Sequence, residues 1–150
     1  MGYIDENLMN GEQVVHRSKL HWIVFLGPIV FTLIAFMFFA GGTEVAATGR
    51  FFFLIAIIWA ISAFISFKTS EFGITNKRVL IKVGFIRRNS LETLLTKVEG
   101  IQVNQGILGR IFNYGTIMVK GTGGTSNPFH KIEAPMEFRK KVQEQIASIQ

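Results

Sequence analysis

Residues 22–40, WIVFLGPIVFTLIAFMFFA, and residues 51–67, FFFLIAIIWAISAFISF, carry no charged side chain. As α-helices, runs of this length rise roughly 25–29 Å at 1.5 Å per residue, which fits a hydrocarbon core of ~30 Å. The ten residues between them, GGTEVAATGR at 41–50, hold one acid, one base and three glycines. Two apolar runs joined by a short polar loop predict an antiparallel helical hairpin. Both helices are apolar all round, and a chain of 150 residues has too little other mass to bury them. The expectation is therefore a transmembrane hairpin over residues 22–67.

Working outward, Arg17 and Lys19 precede the first run, and Lys68, Lys77, Arg78, Lys82 and Arg87 follow the second, whereas the connecting loop offers only Arg50. Excess Lys and Arg marks the cytoplasmic side, so both termini are expected in the cytoplasm and loop 41–50 outside. His21 and Trp22 stand where an aromatic interfacial anchor belongs. Trp59 falls mid-span, and Pro28, which cannot donate to the carbonyl four residues back, is expected to kink the first helix. The polar side chains of the spans are Thr32, Ser62 and Ser66, each able to bond back to its own helix. Conducting helices usually present ionisable or amide groups to a pathway, so an anchor is favoured. The alternative is a hairpin that oligomerises as a pore or serves as an accessory subunit of a membrane complex or transporter.

Composition agrees. The chain is 49% hydrophobic and only 17% charged, with fifteen Phe and no Cys. A disulfide framework, a thiolate metal site and a Cys nucleophile are thereby excluded. Asp5 and Glu6, with no basic segment ahead of a short apolar core, argue against a cleaved signal peptide.

After residue 68 the texture changes to short strands punctuated by glycine. Residues 78–83 alternate, with Val79, Ile81 and Val83 on one face, after a tight-turn signal at Thr75-Asn76-Lys77. Gly84 turns the chain into residues 85–89. Further strands are expected over 98–104, 114–120 and 127–133, with an irregular connection over 106–113 and a turn at 121–124. Pro135 and Glu137 suit a helix start, and Phe138, Val142, Ile146 and Ile149 then form one apolar stripe. Residues 13–20, after the turn signal Asn10-Gly11, also read as a strand. Residues 1–21 would then supply the first strand of a domain completed by residues 68–150, with seven strands and a capping C-terminal helix.

That architecture resembles the pleckstrin-homology (PH) superfold, and the sequence is similar to bacterial PH-like membrane proteins of the YdbS type. The resemblance spans roughly residues 6–146. It is carried by Gly11-Glu12-Gln13-Val14-Val15, Leu20-His21-Trp22, and Ile74-Thr75-Asn76-Lys77-Arg78-Val79. It continues in Lys97-Val98-Glu99-Gly100-Ile101, in residues 108–116, LGRIFNYGT, in Gly121-Thr122-Gly123-Gly124, and in Pro135. It implies a PH-like fold bound to the bacterial inner membrane and brings no reaction. In phosphoinositide-binding PH domains the ligand loop joins the first two strands. Here the apolar hairpin takes that position, so that lipid site does not transfer.

Catalytic signatures are missing from the sequence: no His-Glu-x-x-His, no nucleophile elbow, no phosphate loop with its Lys. Residues 121–124 read as a hairpin turn rather than an anion cradle. His16 and His21 are five apart, His130 stands alone, and the carboxylates after the hairpin show no paired spacing. No enzyme, metal or cofactor is expected. What stands out is charge. From Lys68 to the end there are thirteen Lys and Arg against six Glu. Near an anionic leaflet each base gains about 1 kcal/mol. Lys68, Lys77, Arg78, Lys82, Arg87 and Arg88 are therefore the candidate contacts to lipid headgroups or to an acidic protein partner, as against simple topology determinants. Nucleic acid is disfavoured because no aromatic residues interleave with the bases. The expected function is a non-catalytic, membrane-anchored interaction or assembly module. Homo-oligomerisation through a sheet edge or the aromatic-rich hairpin is a further expectation.

Overall fold

The computed structural model describes residues 2–124 and 126–150, and the chain divides into two compact units. One joins the segment up to His21 with the segment from Thr69 to the C-terminus. The other is Trp22–Lys68.

In the first unit, β1 (Val14–Ser18), β2 (Glu71–Thr75), β3 (Arg78–Val83) and β4 (Asn89–Leu94) form a four-stranded antiparallel sheet in that order. A second, three-stranded antiparallel sheet contains β5 (Val98–Asn104), β6 (Tyr114–Gly121) and β7 (Ser126–Glu133). The rings of Phe72 on β2 and Phe129 on β7 meet edge to face at 6.2 Å, so the core lies between the sheets. Ile74, Val79, Ile81, Leu95, Ile117, Val119 and Ile132 fill it. The C-terminal helix (Pro135–Ile149) begins as expected with Pro135 in its first turn, after Ala134 in a left-handed conformation. It buries Phe138 and Val142, while Ile149 at its end is exposed.

Several expectations change in detail. The alternation read over residues 78–83 predicts one buried face, yet Val79, Leu80 and Ile81 are all fully buried. A short N-terminal helix, α1 (Tyr3–Glu6), explains the second buried face. Leu80 pairs with Gly73, and a Cβ at Gly73 would lie 2.5 Å from Ile4 Cδ1. Cross-strand partners share a face, so Ile4 covers the face that carries Leu80, and only glycine leaves room for it. The turn expected at Gly84 (φ +84°) runs on to the start of β4 at Asn89, and is so tight that a Cβ at Gly84 would sit 2.5 Å from the Arg87 carbonyl. Residues 106–113 are not irregular. Ile107–Phe112 is a helical turn, α2, closed by Asn113 in the left-handed region (φ 59°).

The second unit is a pair of apolar helices, α3 (Leu26–Ala40) and α4 (Ala46–Thr69). Trp22–Ala40 and Ala46–Thr69 are each long and apolar enough to cross a membrane. The kink expected at Pro28 does not fall mid-helix. A 3-10 turn over Trp22–Phe25 precedes α3, which puts Pro28 in the first α-helical turn, where backbone N–H groups lack helical acceptors anyway. The Pro28 carbonyl accepts a hydrogen bond from Thr32 Oγ1 at 2.9 Å. The second helix starts five residues before the expected position, since the Ala-rich end of the connection favours helix and Gly49 is tolerated by close packing. A Cβ at Gly49 would lie 3.1 Å from both the Ala35 carbonyl and Phe38 Cβ. Phe38 and Phe52 stack at 5.5 Å, and Trp59 lies against Gly27 and edge-on to Phe31.

Candidate functional site

Alternation along β3 puts Arg78, Leu80 and Lys82 on the outer face of the first sheet. The N-terminal segment lies across that face and takes up most of its polar groups. Glu71 accepts hydrogen bonds from the N–H groups of Tyr3 (2.9 Å) and Ile4 (3.2 Å). Lys82 Nζ stands 5.2 Å from the centre of the Tyr3 ring, within cation–π range. Arg78 is gripped on two sides. Its Nε donates to Glu12 Oε1 at 2.9 Å, its Nη2 to Glu12 Oε2 at 3.1 Å, and its Nη1 to Glu92 Oε2 at 2.7 Å. A further bond from Nη2 reaches the Asn7 carbonyl.

Glu12 is buried with it. Burial pushes its carboxyl pKa up, but hydrogen bonds from Arg78, the Thr75 hydroxyl (2.6 Å) and the Met9 N–H (2.7 Å) outweigh that effect and hold it at about 2. Arg78 is correspondingly raised, chiefly by the hydrogen bond to Glu12. Tyr3 Oη donates to Glu92 Oε1 at 2.7 Å, which raises its pKa, and so closes the network.

The basic residues singled out by sequence therefore do not form one platform. The Arg78 side chain is 7% exposed and committed to carboxylates. Lys77 is exposed, at the turn between β2 and β3, and donates to the Asn10 carbonyl. Arg87 and Arg88 are exposed at the turn between β3 and β4, the opposite end of the same strand. Lys68 belongs to the helical unit, with Nζ 5.9 Å from the Phe64 ring centre. His21 is buried, its backbone N–H donates to the Lys131 carbonyl, and its ring lies 5.3 Å from that of Tyr114. Trp22, by contrast, is half exposed. The carboxylate partner Glu12 was missed because it stands 66 residues from Arg78; Asn10-Gly11 ahead of it signalled only a turn.

Open clefts also mark the surface of this unit. One of about 440 Å³ lies beside His16, Lys19, Asn113 and Glu137. Another, about 520 Å³, runs over the outer face of the second sheet, where Thr116 Oγ1 and His130 Nδ1 are 3.0 Å apart and Arg139 stands nearby. Among the described residues no three His, Asp or Glu side chains gather as a metal site would need.

The sequence pattern of the bacterial PH domain matches residues 24–146. The chain belongs to the bacterial PH domain family. No curated protein and no solved structure matches it. The match covers both apolar helices and β2 to β7 but not β1, and does not distinguish the YdbS type within the family. In this bacterial PH domain α3 and α4 stand between β1 and β2, where phosphoinositide-binding PH domains carry their ligand loop.

Proposed function

We propose that this bacterial PH domain is a non-catalytic interaction module tethered by α3 and α4 to the cytoplasmic face of the bacterial inner membrane. The observation that carries the reading is the exposure of the two apolar helices. Only 17% and 11% of their most apolar windows is buried, and side chains such as Met37 (75% exposed) and Ile58 point outward. The core helix of a soluble protein would hide these groups; hydrocarbon solvates them. Residues 14–18 and 71–75, before and after the helices, pair in one sheet, so both ends of the hairpin share a side. The surplus of Lys and Arg around those ends supports the cytoplasm as that side. Arg87 and Arg88, exposed and free of carboxylate partners in the network above, fit anionic headgroups or an acidic partner.

The test is alkaline extraction of membranes from cells making the full chain, combined with labelling of single cysteines placed at Thr43 and Asn127. The reading expects retention in the membrane, labelling of Thr43→Cys from outside, and protection of Asn127→Cys until the cells are lysed. Release into the alkaline supernatant would overturn it. Solute flux through vesicles of the pure protein would move the function to a pore.

A further inference from the structure

Two apolar tips project from the β-rich unit. The first is the turn between β3 and β4. Gly84 donates its N–H to the Oγ of buried Ser70 at 3.3 Å, and the tight approach of the Arg87 carbonyl fixes the turn's shape. It presents Phe85 and Ile86, the latter 92% exposed, beside exposed Arg87 and Arg88. The second tip is α2, where Ile107 (82% exposed), Leu108 and Ile111 flank exposed Arg110. It too is held firmly. Gln105 Nε2 donates to the carbonyls of Gly109 and Tyr114, and a Cβ at Gly109 would lie 2.6 Å from the Tyr114 carbonyl.

Both tips occupy the end of the unit at which the chain leaves for, and returns from, the apolar helices. Tyr114, just after α2, pairs with Glu133, whose N–H donates to the Lys19 carbonyl; His21, the last residue before Trp22, lies on the Tyr114 ring. Ser70, the first residue after α4, holds Gly84. At the far end the turns are Asn76-Lys77 and Gly121-Thr122-Gly123-Gly124, without an apolar side chain.

Rigidly presented apolar side chains interspersed with cations suit the boundary between headgroups and acyl chains. We propose that the two tips form a membrane-docking edge. Phe85, Ile86, Ile107 and Ile111 enter the acyl boundary of the cytoplasmic leaflet, and Arg87, Arg88 and Arg110 meet the phosphates of anionic lipids. The inference rests on the tether reading and fixes which end of the domain faces the bilayer.

The chain has no cysteine, so single-cysteine variants of the full protein report one site each. Ile86→Cys, Ile111→Cys, Thr122→Cys and Leu33→Cys would carry an environment-sensitive fluorophore in phosphatidylglycerol-containing vesicles, challenged with spin-labelled lipid and with aqueous iodide. The expected result is several-fold stronger lipid quenching at 86 and 111 than at 122, the strongest at 33, and a loss at 86 on Arg87→Glu/Arg88→Glu. Iodide access at 86 and 111 equal to that at 122, with 33 still lipid-quenched, would overturn the docking edge and leave the tether standing. Shielding of 86 and 111 from both quenchers would also overturn it, in favour of a protein partner. Absence of lipid quenching at 33 would remove the tether and the docking edge together.

Discussion

Arg78 and Glu12 form a bidentate, buried ion pair, Nε to Oε1 at 2.9 Å and Nη2 to Oε2 at 3.1 Å, with side chains 7% and 0% exposed. Arg78 stands on β3, and Glu12 belongs to the segment that closes over the outer face of that sheet.

Breaking a buried pair leaves a desolvated charge without its partner, which costs about 3–5 kcal/mol. Glu12→Ala should therefore destabilise the β-rich unit by about 3 kcal/mol, the low end because Glu92 still holds Arg78. Arg78→Lys should cost nearly as much, since an ammonium cannot form the two-pronged contact. Thermal unfolding of the detergent-solubilised full chain, followed by near-ultraviolet circular dichroism, measures both.

The same pair sets an acid limb. The folded Glu12 carboxyl titrates at about 2 against 4.5 in a free chain, so its contribution is fully present above pH 4.5 and is lost as pH falls toward 2. The difference corresponds to about 3 kcal/mol. A pH series of unfolding midpoints should fall steeply over that window in the wild type and less steeply in Glu12→Gln. Parallel curves would refute the assignment.

Gly73 makes room for Ile4. Gly73→Ala should cost about 1–3 kcal/mol through overpacking, although glycine in a strand is ordinarily unfavourable. Combining it with Ile4→Val should recover part of that loss, because the Cδ1 atom that the new methyl meets is gone. A double-mutant cycle of unfolding free energies gives the coupling.

In the helical unit, a Cβ at Gly27 would lie 2.6 Å from the Trp59 ring. Gly27→Ala should displace the indole and shift Trp59 fluorescence, read in a Trp22→Phe background. Gly100→Ala, on β5 with nothing within 4 Å of its would-be Cβ, should leave the spectrum unchanged.

The apolar runs were legible because uncharged stretches of that length have few other uses, and the helix of Pro135–Ile149 because four apolar residues share one stripe. The strands were legible from alternation and turn residues such as Asn76, whose Oδ1 accepts from the Gln13 N–H. The N-terminal helix was not. Tyr3–Glu6 is too short to show periodicity, and it forms by docking Ile4 and capping on Glu71 rather than by propensity. Gly106, Gly109 and Asn113 read as loop residues, yet each serves α2 at an end or a close approach. Arg78 looked like a free cation for the same reason that β3 looked one-sided: the segment covering both lies on the other side of the apolar helices in sequence.

That order has a consequence for biosynthesis. Val14–Ser18 and Glu12 leave the ribosome first, but their partners in β2 and β3 come only after both apolar helices have been made. At ~5–20 residues per second, the first strand and a carboxylate destined for burial wait some seconds without their ladder. If the hairpin is the membrane tether proposed above, the β-rich unit could not close on a chain that had inserted with a single crossing, since β1 and β2 would then be stranded in different compartments. On the tether reading proposed above, closure of the Arg78–Glu12 pair would depend on insertion of both helices, and a chain that fails it would be left unfolded and open to quality-control proteolysis.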